Sequence, residues 1–375
     1  MEGIKLSIAG FKCFKNKTDF KLNNITLLTG ANSAGKSTVI QSMILNRIAS
    51  LAEHGADCQL VEVELNNSSY ALELGTYDDI VYHDKNYQNE FSIDTNVITF
   101  GIEDVTTTID DINNVESEKT VQFSINQEFS IQVRKLFSKG FVYLNADRMA
   151  PQYEYRNSEN AEFCDCHGGN TGNVIQKHEN DNCEKIRAFD FSEDKKWGVQ
   201  LNKWIDYIFP QVAIQILPSS SDSYQVKVLG KAATNVGFGI TYALPILVSG
   251  LLVPKDGVLI VENPEAHLHA KAQSNMGYFL ARMAAAGIRV IIETHSEHIV
   301  NGIRRMIVEG DTSMSHNDVT IYFFQNKNGE KNPLEINMDK NGNLSKFPED
   351  FFDQVRQDTL AMLRIDRKKK EQKNG

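Results

Sequence analysis

The chain has 375 residues, room for one large α/β domain with insertions or for two domains. Hydrophobic residues make up 41% and charged residues 23%, which excludes wholesale disorder. A formal net charge of −10 excludes a uniformly basic nucleic-acid coat, though not a local basic patch.

Ile4 to Ile8 and Ile25 to Thr29 read as strands, with a glycine-containing loop from Gly30 to Lys36. Helical spacing then runs from Ser37 to about Leu51 through Val39, Ile40, Met43, Ile44 and Ile48. Residues 59–134 change character. Gln59–Leu65, Phe91–Ile93, Val97–Ile102, Val121–Ile125 and Phe129–Val133 are short and partly alternating, the pattern of an antiparallel β lobe. Phe141–Leu144 is a short strand leading into Asn145-Ala146-Asp147-Arg148. Residues 151–190 are polar and hold three of the five cysteines, which predicts an exposed insertion.

A helix is expected over Trp197–Ile208, and the last third alternates helices with buried strands. The helices are Gly237–Leu252, Leu268–Ala285 and Glu297–Val308; the strands are Val258–Val261, Val290–Ile292 and a final Val319–Phe324. That alternation predicts a mainly parallel sheet, hence an α/β fold. The most apolar stretch, Ala243 to Val253, is interrupted by Pro245 and is about half of the roughly 20 residues that span a bilayer. No charged-then-apolar leader opens the chain, and its few cysteines do not form a disulfide scaffold. The expectation is a soluble cytoplasmic protein with no membrane partner. Repeats of 20 to 50 residues and sustained heptads are absent from the sequence.

Gly30-Ala31-Asn32-Ser33-Ala34-Gly35-Lys36-Ser37 fits G-x-x-x-x-G-K-[ST] between a strand and an amphipathic helix. In such a loop glycines let successive backbone N–H groups face phosphate oxygens, aided by the helix N-terminus. Lys36 reaches the β- and γ-phosphates and the Ser37 hydroxyl ligates Mg²⁺. Gly30, Asn32, Ser33, Ala34, Gly35, Lys36, Ser37 and Thr38 are the candidate nucleotide contacts, against a chance glycine turn. Val258–Val261 ends in Glu262, where an open parallel sheet places a metal ligand; the plain alternative is a solvated cap on a buried strand. His295 ends another strand and can contact the γ-phosphate or orient water, although a strand-end histidine is by itself more often structural. Asn235, Gly237 and Gly239 precede or open a helix and suit phosphate contact, as they equally suit a simple N-cap by Asn235.

Together these motifs resemble an ABC-type P-loop ATPase head of the RecF/SMC-like and OLD-like class, often grouped with AAA-family ATPases. Ile8-Ala9-Gly10-Phe11-Lys12-Cys13-Phe14 is similar to its opening, and Glu262-Asn263-Pro264-Glu265-Ala266-His267-Leu268-His269 to its Walker B and D-loop. Glu293-Thr294-His295-Ser296 is similar to its switch-histidine motif. Asn235-Val236-Gly237-Phe238-Gly239 stands at the signature loop, with Val236 in place of the usual serine. Asn145 to Arg148, Leu74 to Asp79 and the ending Ile336 to Asp353 are similar to one subgroup of the class.

The resemblance implies ATP and Mg²⁺ as ligands and a head over residues 1–330, with a C-terminal module over 331–375. It implies that two heads close on ATP as a homodimer, with DNA or a separate nuclease or toxin as effector, in genome defence or DNA maintenance. Lys12 and Phe14 are implied nucleotide contacts. The resemblance also places the water-polarising glutamate where Asn263 stands, so Glu265 is expected to take that role, with slow hydrolysis or a non-hydrolysing scaffold as the alternative. About 80 residues follow His295, too few for an added nuclease domain. A transporter motor is a third, weaker reading.

Cys164, Cys166, His167, His178 and Cys183 offer zinc-type ligands without a strong spacing template, so a reduced, solvated loop is the competing expectation. The tail Arg364, Arg367, Lys368, Lys369, Lys370 and Lys373 can touch nucleic acid or simply end a solvated helix.

Overall fold

The structure is a computed structural model that describes residues 3–51, 59–83, 98–111, 119–156, 162–189, 194–220, 223–235, 237–310, 312–325, 333–352 and 357–365. The expected strand Phe91–Ile93, together with Val97, Val236, Asp353 and residues 366–375 of the basic tail, lies outside the described residues.

A central sheet runs in the order Phe141–Leu144, Val258–Glu262, Arg289–Glu293, Ile25–Gly30, Val319–Phe324, Pro333–Ile336. The first five strands are parallel and the last is antiparallel. Pro333–Ile336 was not expected as a strand; it pairs along Val319–Phe324 as an edge, where a proline's missing N–H is tolerated. Near-continuous apolar runs such as Val258–Val261 fit a sheet covered on both faces.

Alternate residues of that sheet feed two cores. Leu27, Leu144, Leu259, Val261, Ile292 and Ile321 join one with helices Trp197–Ile208, Phe238–Leu252, Ala270–Ala285 and Glu297–Glu309. Leu28, Tyr143, Ile260, Ile291 and Tyr322 join the other with helix Lys36–Leu51 and a six-stranded antiparallel sheet. That second sheet runs Thr18–Leu22, Ile4–Ala9, Ile98–Ile102, Val105–Asp111, Thr120–Ile125, Gln59–Glu64. Two of its strands therefore come from the N-terminus, ahead of the residues 59–134 in which the lobe was expected.

Phe129–Val133 is not a strand. It lies in helix Gln127–Phe137, where the Asn126 side chain accepts from the Phe129 N–H at 2.7 Å. Phe129, Val133, Leu136 and Phe137 are buried, whereas Ile131 is 57% exposed. The 3.6-residue period prevails over the local alternation because one helical stripe covers the sheet.

Residues 162–189 are not a solvated loop either. Helix Thr171–His178 and the buried Cys164, Cys166, Cys183 and Arg187 pack into the molecule. Tyr155–Arg156 pairs with the hairpin Ile214–Ser220/Ser223–Val228, and Tyr155 stacks on Tyr224. Buried apolar residues hidden among polar neighbours gave no periodic signal. Residues 357–365 are helical and exposed. Among the described residues, no helix is long and apolar enough to cross a membrane.

Candidate functional site

Strand Ile25–Gly30 delivers the chain into the phosphate loop, and helix Lys36–Leu51 carries it away. Gly30 has φ +122°, and a Cβ there would collide with the backbone of Phe324. Gly35 has φ +112° and would place a Cβ 2.7 Å from Cys13 Sγ. Both positions demand glycine on conformation and on space. Lys36 is only 4% exposed; its Nζ donates to the carbonyls of Gly30 at 3.0 Å and Ala31 at 2.9 Å. Burial lowers its pKa, and the Glu293 carboxylate opposes that shift. Asn32, Ser33 and Ser37 face solvent, while Ala34 and Thr38 are buried.

Parallel pairing brings Glu262 and Glu293 into register on neighbouring strands. Both are buried. The Glu262 carboxylate accepts from Tyr143 Oη–H at 3.2 Å and from the Ala146 N–H at 3.4 Å. Desolvation, with the charge of Glu293 second, pushes its pKa up to about 7. Beneath it Arg148, 1% exposed, donates to the carbonyls of Asn145, Tyr242, Glu262 and Asn263. That guanidinium ties the loop after Phe141–Leu144 to the acidic strand end and to helix Phe238–Leu252.

Asn263 adopts φ +44°, its N–H donates to the Glu293 carbonyl, and its buried Oδ1 takes no hydrogen bond. Asparagine is among the few residues that accept a left-handed turn, so conformation accounts for its presence after Glu262. Glu265 accepts from Thr294 Oγ1–H and from the His295 N–H, each at 2.7 Å, pinning its turn to the adjoining strand end. His295 Nε2 and Lys36 Nζ each lie 3.5 Å from the same atom, Glu293 Oε1.

Lys36, Glu262, Glu265, Glu293 and His295 are thus gathered by three adjacent parallel strands. The residues expected at the signature loop stand apart. Gly237 caps helix Phe238–Leu252, and Gly239 packs on the backbone of His267, where a Cβ would lie 2.7 Å from its carbonyl oxygen. Phe238 and Tyr242 pack against the His267 ring, so this turn rests on the segment after Glu265; Asn235 is exposed. Lys12 Nζ donates to Gln41 Oε1 at 2.9 Å, whereas Phe14 is buried in the core.

Hard oxygen donors at Ser37 and the buried, doubly supported carboxylate of Glu262 fit Mg²⁺. The buried Glu262–Glu293 carboxylate pair is of the kind that ionises on binding a divalent cation. The zinc-type residues do not converge: His167 Nδ1 contacts the Asp147 carbonyl, His178 Nδ1 pairs with Asp181, and Cys164 lies beside Thr171. Among the described residues, no group of three or more metal-ligating side chains forms.

Sequence reasoning missed Glu293, Tyr143, Arg148 and Thr294 as site residues. Glu293 had a signal, since it is the carboxylate at a strand end two residues before His295. Arg148 lay in a segment singled out by resemblance, but neither its contact with Glu262 nor that of Tyr143 had a sequence signal, because both reach Glu262 across more than 100 residues of chain.

Three solved SMC head structures match the chain. One is the SmcHead bound to the C-winged helix domain of ScpA, at 9% identity and TM-score 0.45, covering 91% of this chain and 99% of that one. Another is the SMC head domain from Thermotoga maritima, at 10% identity and TM-score 0.40, covering 89% and 98%. The third is the Smc head with an extended coiled coil bound to the C-terminal domain of ScpA derived from Pyrococcus furiosus, at 9% identity and TM-score 0.50, covering 90% and 96%. The chain has the fold of an SMC/RecF-like, ABC-type P-loop ATPase head. In sequence it belongs to the family described as "AAA domain, putative AbiEii toxin, Type IV TA system", which matches residues 25–301. Residues 314–362 match a second family, "Protein of unknown function (DUF3696)". No curated protein matches the chain in sequence.

Proposed function

We propose that this chain is an ATP-driven switch: it binds ATP with Mg²⁺ at the strand ends, closes as a homodimer on nucleotide, and hydrolyses ATP to reopen. The observation that carries this reading is the buried Lys36, held by the carbonyls of its own glycine loop beside the in-register pair Glu262 and Glu293. Lys36 and the loop from Gly30 to Thr38 hold the phosphates, and Ser37 and Glu262 hold the Mg²⁺. The metal would neutralise charge on the β- and γ-phosphate oxygens. Hydrolysis joins a water oxygen to the γ-phosphorus while the bond to the bridging oxygen breaks, and its electron pair leaves with ADP. Asn235, Gly237 and Gly239 face the partner's nucleotide. The output is control of DNA or of a separate nuclease or toxin, in genome defence or DNA maintenance.

Lys36→Ala tests the core of this. We expect it to weaken ATP–Mg²⁺ binding in calorimetry by at least about 100-fold, the scale of losing a charge-assisted phosphate contact. We also expect it to abolish nucleotide-dependent dimerisation in light scattering. Unchanged affinity would refute the site. A second reading, a nucleotide-gated scaffold that does not hydrolyse, is favoured by Asn263 after Glu262. Nucleotide-dependent dimerisation without phosphate release would establish it.

A further inference from the structure

We propose that Glu293 is a positioning residue for ATP hydrolysis: its carboxylate orients the His295 ring toward the attacking water, while Glu265 braces the same loop. This rests on the ATPase reading above and names the groups that would handle its water.

The strand ends at Glu293, and His295, two residues further on, brings its Nε2 to 3.5 Å from the Glu293 carboxylate. Thr294 between them is fully buried, its N–H donating to the Leu28 carbonyl. The three carboxylates near Lys36 have different tasks. Glu262 is held by Tyr143 and Ala146. Glu265 has one oxygen on Thr294 and the other on the His295 N–H, an arrangement that fixes backbone. Glu293 lies 3.5 Å from both Lys36 Nζ and His295 Nε2 and meets the two with one oxygen, whereas the positive charges that Glu262 and Glu265 also feel are those of Lys36 and Arg148.

That sharing gives a sequence of events. While Lys36 lies on its own loop, it competes with His295 for Glu293 Oε1. When the phosphates draw Lys36 away, the oxygen is released to the imidazole. A carboxylate accepting from Nε2–H places the ring proton there and leaves Nδ1 as an acceptor for a water hydrogen. The 3.5 Å separation is of the loose kind that tightens once substrate is bound. The His295 side chain is 40% exposed, so water reaches it. Ser296, donating to Gln273 at 2.6 Å, and the Glu265 brace make the loop rigid enough to hold that geometry. As the water oxygen bonds to phosphorus, its proton passes to Nδ1 and then to solvent.

The test uses the full chain with ATP and Mg²⁺ in single-turnover assays, nucleotide affinity by calorimetry, and thermal midpoint as the folding control. Glu293→Gln is expected to bind ATP more tightly, since Lys36 and the phosphates lose a competing anion, yet to turn over about 100-fold more slowly. A merely structural role would not move affinity and rate in opposite directions. His295→Gln is expected to slow turnover similarly, with the double variant no slower than the worse single one. If Glu293→Gln fails to fold, Glu293→Asp keeps the charge but withdraws it from the ring, and is expected to turn over about tenfold more slowly. Wild-type turnover in either folded Glu293 variant overturns the proposal, as do multiplicative effects in the double variant. Turnover by the wild type with an inert Glu293 sinks this inference alone. Absence of wild-type turnover sinks it together with the hydrolytic reading.

Discussion

Glu262 holds a proton where an ordinary glutamate has lost one. Burial, then the charge of Glu293, raises its pKa from 4.5 to about 7. Between those values the folded chain binds a proton that the unfolded chain has released. Stability therefore falls as pH rises through that window, by about 3 kcal/mol at most, and is level above it. In EDTA, the thermal midpoint of the wild type is expected to drop from about pH 5 to about pH 7.5 more steeply than that of Glu262→Gln. Parallel slopes would assign the titration to another group. Asp19, Asp79 and Asp339, whose pKa values are lowered, act in the opposite sense below that window. At this scale the sequence singled out Lys36 in the glycine loop and Glu262 at a strand end, two groups that the structure brings within electrostatic reach of each other. It was silent on their protonation, because desolvation comes from residues remote in the chain.

Helix Gln127–Phe137 shows where element-level reading divides. Phe129-Ser130-Ile131-Gln132-Val133 alternates like a strand, and the same residues also present a helical stripe. What separates the two is Asn126, whose side chain satisfies the Phe129 N–H, and the extension of the stripe to Leu136 and Phe137. Asn126→Ala is expected to reduce stability by about 1 kcal/mol, the usual worth of an N-cap. Urea unfolding measures it, and no loss would mean the cap is replaced by solvent. The strands flanking the phosphate loop carried no such ambiguity, since buried parallel strands are apolar on both faces.

For the molecule as a whole, the close passage of Ala270–Ala285 against Glu297–Glu309 holds the site together. A Cβ at Gly277 would strike the Ile299 carbonyl, and one at Gly302 the Ser274 carbonyl. Those two helices follow the Glu265 turn and His295, so their separation would shift both. Gly302→Ala is expected to destabilise the fold by about 2 kcal/mol or more through overpacking. It should also slow ATP turnover, read in unfolding and phosphate-release assays on one preparation. A stable, fully active variant would show that helix spacing does not set the site.

The sequence by itself determined the strand–loop–helix around Lys36, the acidic end at Glu262, the strand end at His295 and the parallel sheet that carries them. Each is written in neighbouring residues, where spacing, glycine placement and apolar period act locally. Only the tertiary structure decided that residues 4–22 complete the antiparallel lobe, and that the cysteine-bearing segment is buried. The same holds for the Arg148 bridge from Glu262 to helix Phe238–Leu252, and for Glu293 standing between Lys36 and His295. Those facts depend on which strands lie side by side. Adjacency between strands distant in sequence is set by how two hydrophobic cores close on one sheet, not by any local run of residues.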